Sequence, residues 1–271
     1  MGHQPKDPPE IVRTLASVRD WAIARGLRLR SSQKAFITRD ESLIIPLDSE
    51  SCGQFSAGAG GELNRMHSLR SSSALAYNIF APWKSEPTAI GQQLGAPGTY
   101  RQIRFEAKYP TGVSERHPHL DIVIEGDAHP IAIESKYLEV YDDPKPSEFS
   151  KGYLEAEDLW RGLPNLRTLG ELLRDNPGAY ERLGAGQLVK HTLGLAREYG
   201  HRGFSLVYLW YEVPGETAYT HRTELESFTE IAVQDIGFRA LTYQQLFDRL
   251  VQLHEPVSGY LDYLAGRYFP G

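Results

Sequence analysis

Cysteine is almost absent from this sequence, and so are the long apolar runs that mark membrane proteins. The single cysteine, Cys52, excludes an intramolecular disulfide framework and any zinc or iron–sulfur site built from several thiolates. No stretch approaches the roughly 18 consecutive apolar residues of a membrane-spanning helix, and Met1 to Glu10 is polar rather than signal-like. These absences predict a cytoplasmic protein without a membrane partner.

The sequence also lacks an excess of positive charge. Its 29 lysines and arginines are outnumbered by 35 aspartates and glutamates, which gives a formal charge of −6 at pH 7. Composition therefore gives no sign of a nucleic-acid partner, although a metal-binding enzyme can confine its cations to one groove. Two phosphate-binding loops, GxxxxGK(S/T) and GxGxxG, are missing as well, which argues against an enzyme of small phosphorylated molecules.

The first third of the chain carries helical patterns. Its 271-residue length and 41% hydrophobic content predict one large domain with appended elements. Apolar residues at intervals of three and four predict an amphipathic helix from Pro8 to Gly26. The glycines of Ser51 to Gly61 predict a flexible stretch, and Glu62 to Phe80 predicts one helix or two, which Pro82 ends.

The middle of the chain changes to strand patterns. Three strands are predicted, the last two forming a hairpin, at Arg101–Tyr109, Leu120–Glu125 and Ile131–Tyr137. A helix at Gly186–Tyr199 and a buried strand at Phe204–Val213 predict a parallel crossover. In the tail, a helix, a strand and a helix follow at Leu225–Asp235, Phe238–Thr242 and Tyr243–Leu253. This order predicts an α/β fold.

Two acids and a lysine enter the predicted hairpin. Alternation places Glu134 and Lys136 on one face of their strand, and the short hairpin brings Asp121 of the preceding strand close to them. Two adjacent carboxylates repel each other, and a divalent cation relieves this. Mg²⁺, for which Mn²⁺ can substitute, prefers oxygen ligands, so Asp121, Glu134 and the carbonyl of Ser135 are the predicted metal ligands. Lys136 would then orient a water or stabilise charge on a phosphate.

These residues resemble the D…(D/E)xK signature of the PD-(D/E)xK nuclease superfamily, in its bacterial restriction-endonuclease-like branch. The resemblance implies an αβββαβ core, with a central mixed sheet of four to five strands flanked by helices. It covers roughly 60–213, with an insertion at 141–180, an N-terminal helical and extended segment at 1–50 and a C-terminal strand and helix extension at 214–271.

The resemblance also implies supporting residues. Glu62, near the start of the first core helix, is the candidate for an additional catalytic acid, and Glu106 is a candidate to contact the metal or one of its ligands. Phosphate contacts would come from the helix after the third strand, through Gln187, Lys190 or His191. Arg65, His67, Arg70 and the serines Ser71 to Ser73 offer donors for a DNA backbone.

Simpler readings stay open for each of these residues. A D…ExK pattern alone is weakly specific, Glu106 fits an ion pair on the surface with Arg104 or Lys108, and the polar residues of the later helix fit a solvated face. His117 and His119 flank Pro118 without a cysteine nearby, so a structural role is favoured over zinc binding.

The predicted function is a Mg²⁺-dependent deoxyribonuclease of the restriction-enzyme type, which cuts double-stranded DNA. A repair or junction-type nuclease has the same metal chemistry, and a non-catalytic nucleic-acid-binding module of the same fold is the alternative from another class. Because one active site cuts one strand, a homodimer is expected.

Overall fold

A mixed sheet of five strands forms the centre of the computed structural model, which describes residues 7–58, 61–113, 117–127, 129–144 and 149–270. The strands are β1 (Tyr100–Lys108), β2 (His119–Gly126), β3 (Ile131–Lys136), β4 (Ser205–Trp210) and β5 (Gly237–Thr242). They lie side by side in chain order. The first two pairings are antiparallel and the last two parallel, which confirms the predicted α/β fold, the hairpin and the crossover.

Helices flank this sheet. Before it come α1 (Pro9–Ala24), α2 (Ser49–Ala57), α3 (Glu62–Arg65), α4 (Ser72–Phe80) and α5 (Pro87–Gln93). Between β3 and β4 come α6 (Lys151–Glu155), α7 (Pro164–Asp175) and α8 (Ala185–Tyr199), and later come α9 (Glu216–Asp235), α10 (Tyr243–Leu250) and α11 (Tyr260–Tyr268). Over the described ranges, no helix combines the length and apolar content needed to cross a membrane.

The two faces of the sheet are covered by different helices. Glu134 and Tyr208 share one face, where α8 and α9 reach them through His191 and His221. Ser135 lies on the opposite face, where its hydroxyl contacts the hydroxyl of Tyr243 on α10 at 2.6 Å. Strand β3 is buried up to Ser135. Glu134 therefore lies on a buried strand that has helices packed against both of its faces.

The expectation of a flexible stretch at Ser51–Gly61 was wrong. Residues up to Ala57 form helix α2, whose first turn is capped by the Asp48 carboxylate, which accepts from the N–H of Ser51 at 2.7 Å. Phe55 then stacks on Phe105 of β1 at 5.0 Å between ring centroids. The cap and this packing stabilise the helix against the flexibility that its glycine favours. Residues 59–60 of the predicted stretch lie outside the described residues.

Other boundaries differ where packing decides them. The segment Glu62–Phe80, predicted as one helix or two, forms the two short helices α3 and α4, and the Ser71 side chain caps the second of these. Helix α9 begins at Glu216 rather than Leu225, because Ala218 and His221 in its polar first turns are buried. Helices α5 and α11 were not predicted.

A small hairpin, Arg28–Ile37, follows α1. The N–H of Arg30 donates to the Ala35 carbonyl at 2.8 Å, and the N–H of Ile37 donates to the Arg28 carbonyl at 2.9 Å. Its apolar side chains, Leu29 and Phe36, pack in a separate cluster with residues of α1 and the α3–α4 loop. The hairpin is therefore held by its own small core.

Arg267 of α11 fastens this hairpin to the rest of the molecule. Its guanidinium is buried, donates to the Ser42 carbonyl and to the hydroxyl of Tyr263, and lies 5.0 Å from the Phe36 ring centroid. The ring of Tyr268 lies 4.7 Å away on the same helix. Aromatic faces stabilise a buried cation, so Arg267 joins the N-terminal hairpin to the end of the chain.

Two helical glycines make opposite predictions for stability. A Cβ on Gly194 of α8 would lie 2.4 Å from the Tyr109 carbonyl oxygen, whereas a Cβ on Gly53 of α2 meets nothing within 4 Å. We expect Gly194→Ala to lower the free energy of unfolding by about 1–3 kcal/mol through overpacking. Gly53→Ala should raise it by about 0.5–1 kcal/mol through helix propensity. Urea denaturation measures both; equal effects of the two substitutions would contradict this packing of α8.

Candidate active site

Strands β2 and β3 part from each other where their acidic residues lie. The last paired residues are Ile122 and Ile133, and the next position would set Asp121 opposite Glu134. Here the Asp121 carboxylate replaces a main-chain acceptor, since its Oδ2 accepts from the N–H of Ser135 at 2.7 Å. The N–H and C=O of one strand residue point to the same side. The Ser135 carbonyl is therefore directed toward the side on which Asp121 lies.

The Glu134 carboxylate lies between two nitrogen-bearing side chains. Lys136 Nζ is 2.5 Å from Oε1, and His191 Nε2 is 2.9 Å from Oε2. Lys136 also donates to Oε1 of Gln187 at 3.2 Å. The Glu134 side chain is 2% exposed and that of Lys136 is 20% exposed. The first two turns of α8 thus approach the pair on β3, and the ammonium stays within reach of solvent.

The two acids differ in their electrostatics. Burial alone would raise the pKa of Glu134, but the Lys136 ammonium and His191 outweigh it and hold this pKa at about 2. Burial and the negative charge of Glu134 instead raise the pKa of Asp121 well above its usual range. The pKa of Lys136 is raised by the acids around it, against the effect of burial. The Lys136 ammonium therefore favours the ionised form of Glu134, whereas burial beside Glu134 disfavours a second negative charge on Asp121.

A second acidic pair extends the site beyond Asp121. The register of β1 against β2 sets Glu106 opposite Asp121, and the Glu106 side chain is 7% exposed. Burial, Glu62 and Glu134 raise the pKa of Glu106 to about 7. Glu62 of α3 is held by the Ser73 hydroxyl, which donates to its Oε2 at 2.6 Å. Glu106, Asp121 and Glu134 therefore form one row of acidic side chains across the sheet, with Glu62 of α3 close to Glu106.

Residues 38–269 match the family described as Restriction Endonuclease associating with ARP. The chain belongs to this family. No curated protein and no solved structure matches it. Membership confirms the restriction-endonuclease-like assignment made from the Asp121, Glu134 and Lys136 pattern. It supports a nuclease-like role and DNA as the partner at the level of the family, while the chemistry rests on the residues themselves.

The donor groups of this restriction endonuclease family member fit a magnesium ion. In the described parts of the chain, no three acidic, imidazole or thiolate side chains are already arranged to hold a metal. Mg²⁺ commonly takes only one or two carboxylates, completed by carbonyl and water oxygens. Glu134 Oε2 is buried and has no partner with hydrogen-bond geometry, and the pKa of Asp121 is raised by its acidic neighbour. A divalent cation would relieve both conditions.

The structure brings most of the candidates in this family member together. Asp121, Glu134, Lys136, Gln187 and His191 form the connected group described above. Among the remaining candidates, Glu106 and Glu62 lie beside it, while Lys190 lies over the rings of Phe149 and Tyr153 at 5.9 and 5.8 Å. The surface ion pair considered for Glu106 was wrong, since Arg104 instead pairs with Glu125 at 2.5 Å.

Two features of the site escaped the sequence reasoning. His119 Nδ1 lies 3.7 Å from Glu106 Oε2, although the side chain had been given only a structural role. On β4, beside Glu134, the Tyr208 hydroxyl contacts His221 Nε2 at 2.9 Å. Burial and the positive charge of Lys136 lower the pKa of His221 to about 4. Alternation along β2 gives a signal for His119, because it shares the face of Asp121. His221 lies on a helix whose packing no local pattern indicates.

Glu106 should make the stability of the metal-free protein depend on pH. Its pKa rises from 4.5 to about 7 on folding, so the folded state binds more protons between these values and stability falls as pH rises through them. We expect the free energy of unfolding to fall by at most about 3 kcal/mol from about pH 5 to about pH 8, relative to Glu106→Gln. Denaturation in EDTA measures this difference. Parallel curves for the two proteins would contradict the assigned surroundings of Glu106.

Proposed function

We propose that this chain is a Mg²⁺-dependent endonuclease that hydrolyses phosphodiester bonds of double-stranded DNA. The observation that carries the proposal is the connected group formed by Asp121, Glu134, Lys136 and Gln187. It combines two carboxylates that need a cation with an ammonium held beside them. Family membership adds the restriction endonuclease context.

Each residue has a defined part in this chemistry. Asp121, Glu134 and the Ser135 carbonyl would hold Mg²⁺, which supplies Lewis acidity toward the phosphate and lowers the pKa of a bound water. Lys136 keeps its proton because Glu134 and Asp121 raise its pKa. Its Nζ, oriented by Glu134 and Gln187, can donate to a water or to a non-bridging phosphate oxygen. The amine thereby stabilises negative charge that grows in the transition state.

Neighbouring residues would set the charge and geometry of this centre. His191 Nε2 lies 2.9 Å from the second oxygen of Glu134, so its ring limits the positions that this carboxylate can take. Glu106 and Glu62 add negative charge next to Asp121, which favours a cation over an empty site. We assign to His191 the positioning of the Glu134 carboxylate and to Gln187 the positioning of the Lys136 amine. We assign to Glu62 and Glu106 the negative charge that strengthens metal binding.

Supercoiled plasmid DNA is the direct test. We expect nicked or linear product with Mg²⁺ or Mn²⁺ and none with EDTA, and parallel reactions on single-stranded and branched DNA separate a restriction-type from a repair or junction-type nuclease. DNA binding without cleavage of any substrate at any tested metal would favour the non-catalytic module and defeat the proposal.

We also propose that the active protein is a homodimer and that it shares the association with ARP named in its family description. A cut through both strands needs two scissions, which a two-fold pair of active sites supplies. Sedimentation velocity with and without DNA tests the dimer, and a monomer that makes double-strand cuts in single encounters would contradict it.

A further inference from the structure

The sequence around the N-terminal hairpin departs from the acidic character of the chain. From Trp21 to Arg39 there are five cations and no acid, whereas the whole chain carries a formal charge of −6. The cations are Arg25, Arg28, Arg30, Lys34 and Arg39. Their segment ends where the family match begins, at residue 38. A local excess of this kind marks a candidate surface for a polyanion.

The hairpin fold presents part of this charge outward. In the run Leu27-Arg28-Leu29-Arg30, the leucines turn inward and the arginines are exposed, as alternation along a strand requires. Arg28 forms an ion pair with Glu41, and Arg39 forms one with Asp40. For Arg30 and Lys34, no ion pair exists within the described part of the chain. These two cations are therefore available to a ligand.

The main chain ties this surface to the segment that carries Glu62. Phe36 donates its N–H to the His67 carbonyl at 2.9 Å, and Leu69 donates to the Lys34 carbonyl at 3.1 Å. His67 lies near enough to Arg30 for the guanidinium, together with burial, to lower its pKa. The basic surface is thus part of one rigid unit with the α3–α4 loop.

A groove beside the hairpin adds further donors. It has a volume of about 270 Å³ and is lined by Arg19, Ser32, Lys34 and Ser68 among other residues. Arg19 lies 3.4 Å from the side-chain oxygen of Gln33, so helix α1 contributes to the same face. Arg70, which had been assigned to DNA contact, instead pairs with Asp7 and Asp142. Lys34 of the hairpin and Arg19 of α1, rather than Arg70, are therefore the groove cations assigned to phosphate.

We infer that the exposed face of Arg28–Ile37 binds the phosphate backbone of duplex DNA next to the active site, with Arg30 and Lys34 as its principal contacts. This inference rests on the proposed function. Since each neutralised phosphate releases counterions, such a surface contributes to the salt dependence of binding rather than to base recognition. Its rigid attachment to the Glu62 segment would set the duplex in a fixed position relative to the acids.

The test is DNA binding by the double variant Arg30→Ala/Lys34→Ala. Fluorescence anisotropy with a labelled duplex, in Ca²⁺ so that binding is separated from cleavage, should show about tenfold weaker binding than the wild type. The slope of log Kd against log salt should decrease in magnitude by about two. The matched control Arg161→Ala/Arg174→Ala makes the same change of net charge at exposed residues of another region and should leave both quantities unchanged.

Equal weakening by both double variants, or none by either, would overturn the assigned surface. If the wild type cleaves plasmid DNA and the Arg30→Ala/Lys34→Ala variant binds duplex DNA normally, the assignment of the hairpin surface to DNA binding is wrong and the proposed function stands. If the wild type neither binds nor cleaves DNA, both fail together. Unchanged denaturation midpoints would show that the exposed substitutions leave the fold intact.

Discussion

Glu134→Gln should abolish Mg²⁺-dependent cleavage, with a loss of at least about a thousandfold in rate. The substitution preserves shape but removes the negative charge that Lys136 and His191 contact and that a metal requires. Single-turnover cleavage of plasmid DNA measures the rate, and titration with Mn²⁺ followed by electron paramagnetic resonance measures metal affinity. Both should fall, while duplex binding in Ca²⁺ should persist.

Glu125→Gln is a matched control for this result. Glu125 lies on β2 of the same sheet, and its carboxylate is held by Arg104 rather than by the candidate site. Its cleavage rate should stay within a few-fold of the wild type. Wild-type turnover by Glu134→Gln, or an equal loss in both variants, would remove Glu134 from the chemistry.

Lys136→Ala is expected to reduce cleavage by about 10²–10⁴-fold with little change in duplex affinity. The amine is the group beside Glu134 that can donate to a phosphate oxygen, and its loss also removes a partner of Gln187. A second consequence concerns pH. Because Lys136 holds the pKa of Glu134 low, the acid limb of the residual activity should move to higher pH.

Lys151→Ala provides the comparison for Lys136, since its amine forms an exposed pair with Glu155 on α6. We expect its rate and pH profile to match those of the wild type. A Lys136→Ala enzyme with a normal rate would overturn the assignment. A normal pH profile together with a reduced rate would retain the catalytic role but reject the coupling to Glu134.

The candidate site was predictable from sequence because it depends on short-range rules. Alternation along β3 places Glu134 with Lys136, and a hairpin of few residues leaves little freedom for Asp121. The helix that supplies Gln187 and His191 was also predictable from its apolar spacing. The environment of Glu106 was not, because it depends on α2 packing against β1 and on the charge of Glu62 in α3.

Elements set by tertiary contacts were missed for the same reason. Helix α2 was not predicted because the glycines in and after it favour a flexible segment. The Asp48 cap and the stacking of Phe55 on Phe105 stabilise this helix. The polar beginning of α9 is buried through the contact of His221 with Tyr208 on β4, the strand that precedes this helix. Composition averaged over the whole chain likewise hid the basic run between Trp21 and Arg39.

The contact between Arg267 and Phe36 has a consequence for the order in which the molecule becomes complete. Phe36 precedes the whole central sheet in the chain and Arg267 follows it, so the guanidinium can reach the aromatic ring only after all five strands have been synthesised. A nascent polypeptide therefore lacks the brace behind its basic hairpin. Under the proposed function, the basic surface is completed only after Glu134 and Lys136 have been synthesised, which delays DNA binding until the site is present.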